Sequence, residues 1–104
     1  MPPLRLEYAP IAKLDLDNVF AYTVARWGHE QAFHYSEELI EVIQALAEFP
    51  NLGRDRSDLR AGLRSIVVAQ HIVMYQVFDD RVRIGRVLHE RENAAKALDE
   101  MDSD

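Results

Sequence analysis

Between Leu59 and Arg91 the chain reads LRAGLRSIVVAQHIVMYQVFDDRVRIGRVLHER, which holds three strand-like runs in succession: SIVVA, HIVMYQVF and RVRIGRVL. Branched and aromatic side chains dominate these runs, as a pleated, half-buried surface requires. Asp79-Asp80 separates the second run from the third with the two residues a tight hairpin needs, so an antiparallel meander is expected here. In the middle run His71, Val73, Tyr75 and Val77 fall on one face, with Ile72, Met74, Gln76 and Phe78 on the other. Both faces are largely apolar, which suits a central strand covered by helices on one side and by a partner or aromatic platform on the other. In the last run strict alternation groups Val82, Ile84, Arg86 and Leu88 against Arg83, Gly85, Val87 and His89. Gly85 inside a strand marks a bulge or a close backbone approach.

The first half of the chain has a different period. Leu4 to Tyr8 alternates apolar and charged residues, a strand signature. Pro10 then suits a first helical turn, and Ala12, Leu16, Val19, Phe20, Thr23 and Trp27 form one stripe of a helix that Gly28 stops. Ala32, Ser36, Leu39, Ile43, Leu46 and Ala47 make the stripe of a second helix, ended by Pro50. So short a link at Gly28 folds the two back as an antiparallel hairpin. Asn51 to Ala61 reads as a polar linker in which Asp58 caps a short turn, Glu92 to Met101 as a final helix, and the closing Asp-Ser-Asp as frayed. The expected class is α+β: an N-terminal strand, a helical hairpin packed on an antiparallel sheet with a three-stranded C-terminal meander, and a short C-terminal helix, in one domain over residues 1–104.

Charge is distributed in blocks. Residues 1–50 carry three cations against eight acids, residues 51–91 eight arginines against five acids, and residues 92–104 Lys96 against five acids. All the middle cations are arginine, whose planar fork matches carboxylates and phosphates. They form either a recognition surface or the decoration of exposed strand positions. A net charge of −6 argues against a general nucleic-acid binder. There is no cysteine, which excludes disulfides and thiolate metal sites and is compatible with a reducing cytoplasm. The N-terminus lacks the apolar run of a secretory signal, and no apolar stretch is long enough for a membrane span.

Little in the residues points to chemistry. His29 and His34 are five apart, off the spacing that places two imidazoles on one helix face, and His71 and His89 belong to different strands. No metal and no cofactor is expected. The serines lack a nucleophile-elbow setting and no phosphate loop is present. One catalytic constellation is conceivable: Arg64, Arg86 and His89 around a phosphodiester, with the arginines stabilising charge at phosphorus and the histidine moving a proton. The alternative is that the same residues bind a protein's carboxylates.

Specific residues, in order, resemble a known family. Asp15-Leu16…Tyr22 and Trp27-Gly28 are followed by Leu46-Ala47-x-x-Pro50-x-x-Gly53, by Gly62-Leu63-Arg64-Ser65 and Ile72-Val73-Met74-Tyr75, and by Ile84-Gly85-Arg86-Val87-Leu88-His89-Glu90-Arg91. From about Leu4 to Ala97 the chain resembles the ParE branch of the RelE/ParE toxin superfamily. The resemblance implies a bacterial toxin of a type II toxin–antitoxin pair, held by a ParD-type antitoxin whose C-terminal segment wraps it, and directed at DNA gyrase in the cytoplasm. RelE relatives instead cut messenger RNA in the ribosome. Arg64 and His89 sit where some of those nucleases keep catalytic residues. The lysine-rich helix and linker of RelE have no counterpart, however, since Lys13 and Lys96 are the only lysines. That departure favours inhibition by protein contact, without direct nucleic-acid or membrane binding. The expected docking neighbourhood is Arg64, Tyr75, Arg83, Arg86, His89 and Arg91, an apolar patch rimmed by arginines. The sheet face it occupies depends on register.

Overall fold

The computed structural model describes residues 3–101; the closing Asp-Ser-Asp, expected to fray, lies outside the described residues. Strand β1 (Arg5–Tyr8) leads into helices α1 (Pro10–Trp27) and α2 (His29–Glu48). Strands β2 (Arg54–Asp55), β3 (Leu63–Val68), β4 (His71–Val77) and β5 (Arg81–His89) follow, and α3 (Ala94–Met101) completes the described chain. The five strands form one sheet in the order β1-β5-β4-β3-β2. The expected α+β class stands, with two additions. β1 pairs with β5 in parallel, making the sheet mixed, and the polar linker contributes the two-residue β2.

Local chemistry accounts for the boundaries. Pro10 occupies the first turn of α1, where its missing N–H is no loss. Gly28 has a φ of 89°, a region open to glycine, and its N–H bonds Val24 O at 2.9 Å to close α1 while its own carbonyl accepts Ala32 N–H to open α2. Phe78 N–H bonds Arg81 O at 2.8 Å, so Asp79 and Asp80 form the tip of a two-residue hairpin. Asp58, expected to cap the turn before β3, instead pairs with Arg56 at 3.0 Å.

The main core lies between the helical hairpin and one sheet face. Ala12 and Val19 of α1 and Leu39, Ile43 and Leu46 of α2 meet Val73, Tyr75, Val82, Ile84 and Val87. Each large member contributes roughly 1.5–3 kcal/mol by leaving water. Leu63, Met74 and Leu88 point to the opposite face, where Ala97 and Leu98 of α3 cover them. The expectation that this second face of β4 awaits a partner is therefore corrected, because the chain's own C-terminal helix occupies much of it.

Alternation along β5 breaks at Gly85. Up to Ile84, β5 pairs with β4 as Val82↔Val77, Arg83↔Gln76 and Ile84↔Tyr75; beyond it, Arg86 faces Met74, Val87 faces Val73, Leu88 faces Ile72 and His89 faces His71. One extra residue on β5 is a β-bulge, and it flips the parity of everything after it. Val82, Ile84 and Val87 thus share the hairpin core while Leu88 joins the opposite cluster, so the strict two-face grouping from the sequence holds only on one side of the glycine.

Candidate functional site: a groove beside the free edge of β5

β1 stops at Tyr8, opposite Ile84, and Ala9 N–H makes the last bond of that ladder to Ile84 O at 2.9 Å. The chain then turns into α1, and among the described residues no strand pairs with β5 on that side from Gly85 onward. Unpaired strand N–H groups are costly when covered and sticky when exposed. Two carboxylates satisfy them here: Asp15 accepts Val87 N–H at 2.9 Å and Glu92 accepts His89 N–H at 3.1 Å. Asp15 also takes a forked contact from Arg86, Nε at 2.8 Å and Nη2 at 3.0 Å, while Arg86 Nη1 donates to Ala97 O at 3.2 Å. This clip joins α1, β5 and α3 around a nearly buried ion pair.

Between α1 and that edge lies a cavity of about 470 Å³ bordered by Asn18, Tyr22, His71, Arg86, His89 and Arg91. It continues past His71 into a smaller depression of about 240 Å³ that ends at Trp27. Two large aromatic side chains stand over the groove largely uncovered, Tyr22 at 53% and Trp27 at 65% exposure, and the Arg26 guanidinium lies 5.8 Å from both ring centres. Aromatic and arginine side chains of this kind are the usual anchors of protein interfaces.

The floor of the groove is a histidine pair. His71 and His89 are opposite each other in the β4–β5 ladder, with ring centres 5.5 Å apart in an edge-to-face arrangement. His71 is buried, and its Nδ1 lies 2.5 Å from the Tyr35 hydroxyl, which also reaches Val68 O at 3.1 Å. Nδ1 of His89 accepts Arg91 N–H at 3.1 Å. Both Nδ1 atoms are thus occupied, which leaves each Nε2 for the groove. Burial pushes the His71 imidazole below its ordinary pKa and nearby His89 adds to this, while Glu92 and Glu90 oppose it. Burial also pushes the Tyr35 hydroxyl up.

Of the residues expected to form a docking face, the groove gathers Arg86, His89 and Arg91. Arg86 nevertheless points its guanidinium at Asp15 rather than outward. Tyr75 is fully buried: its hydroxyl accepts Gly53 N–H and donates to Pro50 O, both at 2.8 Å, pinning the linker after α2 to the sheet. Arg64 binds the same linker through Gly53 O at 2.8 Å and Asn51 O at 3.2 Å. Arg83 lies 3.6 Å from Glu7 of β1, which also pairs with Arg81 at 3.0 Å. The meander arginines therefore do not make a single cationic face; most fasten loops, β1 or helices to the sheet, and the expectation of an arginine-rimmed patch is corrected accordingly. The Arg64, Arg86 and His89 constellation is not assembled either, since Arg64 faces Tyr75, four residues along β4 from the His71–His89 pair.

Sequence reading missed Tyr22, Trp27, Tyr35 and His71 as groove residues. Tyr22 and Trp27 were visible only as motif positions or as part of a helix stripe, and His71 reaches His89 only through the bulge. Among the described residues no group of three or more His, Cys, Asp or Glu side chains is placed to hold a metal ion. No helix among them is long and apolar enough to cross a membrane.

Comparison with known proteins agrees with the architecture. A family model described as ParE toxin of the type II toxin–antitoxin system parDE matches residues 6–94. A protein named Toxin ParE1 from Caulobacter vibrioides is 45% identical over 98 residues, covering 94% of this chain and 99% of the relative. A Toxin ParE1 from Mycobacterium tuberculosis is 32% identical, covering 90% and 97%. Among solved structures, a chain of one described as the chromosomal ParDE TA system from P. aeruginosa superposes with a TM-score of 0.73 at 22% identity, covering 83% of this chain and 95% of that one. A chain of the RelBE2 toxin–antitoxin complex from Mycobacterium tuberculosis does so with a TM-score of 0.57 at 22% identity, covering 85% and 99%. The family model over residues 6–94 and the relative at 45% identity together show that the chain belongs to the ParE toxin family of type II toxin–antitoxin systems.

Proposed function

We propose that this toxin is held inactive by a ParD-type antitoxin whose C-terminal segment lies in the groove between α1 and the free edge of β5, and that the freed toxin acts in the cytoplasm by binding DNA gyrase. The observation that carries the docking reading is the groove itself: exposed Tyr22 and Trp27 rise above a polar floor, beside a strand edge whose Val87 and His89 N–H groups are met by side chains. An extended or helical segment with apolar anchors and carboxylates fits such a surface. Inhibition through contact, without bond-making by the toxin, is favoured by the dispersal of Arg64, Arg86 and His89 and by the internal engagement of the first two.

Two assays on the purified chain test the target. It is expected to block supercoiling by gyrase while leaving ribosome-bound message intact, with activity restored by the antitoxin. Cleaved message together with unimpaired gyrase would replace this reading with the RelE-type endoribonuclease. Normal growth on induction of the toxin alone would remove toxicity altogether.

A further inference from the structure

We propose that the His71–His89 pair is a carboxylate-binding notch in the groove, which takes up a proton at His71 as an acidic side chain of the antitoxin enters. The inference rests on the antitoxin-docking reading above and adds the chemistry recognised at one point of it.

The tautomers follow from the hydrogen bonds. His89 accepts Arg91 N–H at Nδ1, so when neutral it carries its proton on Nε2 and offers a donor to the groove. His71 presents the complementary case. Tyr35 has one hydroxyl proton and two acceptors within reach, Val68 O and His71 Nδ1. With that proton directed to His71, the imidazole is neutral. With it directed to Val68 O, Tyr35 becomes the acceptor for a proton on His71 Nδ1, and Nε2 is free to bind a second one. His71 can therefore become an imidazolium without orphaning a single polar atom. Its only cost is burial and the nearness of His89, and an incoming negative charge offsets both.

The charged and titratable groups around the pair select the ligand. From α1 come Asp15 and Tyr22, from α2 Tyr35 with Glu38 beyond it, and from β5 and the turn after it Arg86, Glu90, Arg91 and Glu92. Asp15 is neutralised by Arg86, leaving Arg91 at the rim to assist an anion. Glu90 and Glu92 remain close enough to repel a doubly charged phosphate. A single carboxylate, accepting from Nε2 of both rings, matches this balance. It also repeats what the edge already does with Asp15 and Glu92.

The test uses the full chain and nuclear magnetic resonance of its four imidazoles, titrated against pH in acetate, in phosphate and in chloride of equal ionic strength. Acetate is expected to raise the His71 midpoint by about one unit and to shift the His89 Nε2 resonance. His29 and His34, exposed on α2, serve as controls and should not respond. His71→Gln should abolish the acetate response at His89 while leaving the remainder of the spectrum folded. Equal responses at all four histidines, or none at His71, would overturn the proposal. A response to phosphate stronger than to acetate would also overturn it and point to nucleic acid. Antitoxin binding, measured separately by co-purification, is independent of this outcome. A bound antitoxin with no acetate response removes the notch alone, whereas an acetate response without antitoxin binding removes the docking reading and leaves a free carboxylate site, contrary to the inference as stated.

Discussion

Removing Asp15 should be among the most damaging single changes to this fold that leaves its apolar core intact. Its carboxylate holds Arg86 through two bonds and caps Val87 N–H through a third, with both side chains of the pair about nine-tenths buried, at 8% and 11% exposure. In Asp15→Ala the guanidinium stays in place and loses its main counter-charge. What remains is Ala97 O at 3.2 Å and Glu100, more than half exposed, at 3.6 Å. Breaking one side of a buried pair costs about 3–5 kcal/mol. The residual partners place this case near the lower end, at about 3 kcal/mol. For a chain of this length each kcal/mol lowers Tm by about 4–8 °C, so a fall of about 12–24 °C is expected. Urea unfolding followed by circular dichroism measures the loss directly. The double variant Asp15→Leu/Arg86→Met removes both charges, and should recover all but the roughly 1 kcal/mol owed to an uncapped Val87 N–H. A loss below about 1 kcal/mol in Asp15→Ala, the range of exposed pairs, would refute the argument. So would a double variant no more stable than the single one.

Tyr75→Phe should destabilise by about 1–3 kcal/mol, because Gly53 N–H and Pro50 O lose their shared partner; the same urea assay reads it. Gly53→Ala should cost at least as much, since the new Cβ would meet Ser65 O, a backbone atom that cannot swing away, at 2.7 Å. His71 makes stability depend on pH: its folded-state pKa lies below the ordinary value of about 6.5, so its contribution is complete above that pH and is lost as pH falls through the folded value. Urea midpoints at pH 7.5, 6.5 and 5.5 should fall for the native chain and stay flatter in His71→Gln; parallel curves would contradict this. Asp55, Asp58 and Asp80, held below the usual carboxylate range by hydrogen bonds, respond only at lower pH and leave that window clear. Tyr22→Ala and Trp27→Ala should each weaken antitoxin binding about tenfold or more while barely moving Tm, because both side chains are more than half exposed; calorimetric titration showing unchanged affinity would count against the groove.

Much of this architecture is readable along the chain. Pro10, Gly28 and Pro50 mark helix boundaries through constraints each residue carries by itself, and Asp79-Asp80 sets a hairpin through its length alone. The arginine-rich meander was equally visible, but the destinations of its guanidinium groups were not. Glu7 and Asp15 lie some seventy residues from the arginines they engage, and no local pattern announces such pairs. Nor does composition say that α3 turns back to cover Leu63, Met74 and Leu88.

The groove shows the same division more sharply. Three of its residues, Arg86, His89 and Arg91, lie close together in sequence and were accessible as candidates. His71 was not, because a regular hairpin closed at Asp79-Asp80 would set it against Leu88. Local sequence determined two histidine-bearing strands, their hairpin and a glycine with no side chain to defend regular pairing. Only the packed sheet decided that the extra residue is absorbed at Gly85, since the choice lets Val82, Ile84 and Val87 all enter one core. Side chains alternate with a period of two, so a single inserted residue exchanges the faces beyond it, and here it carries His89 across to His71.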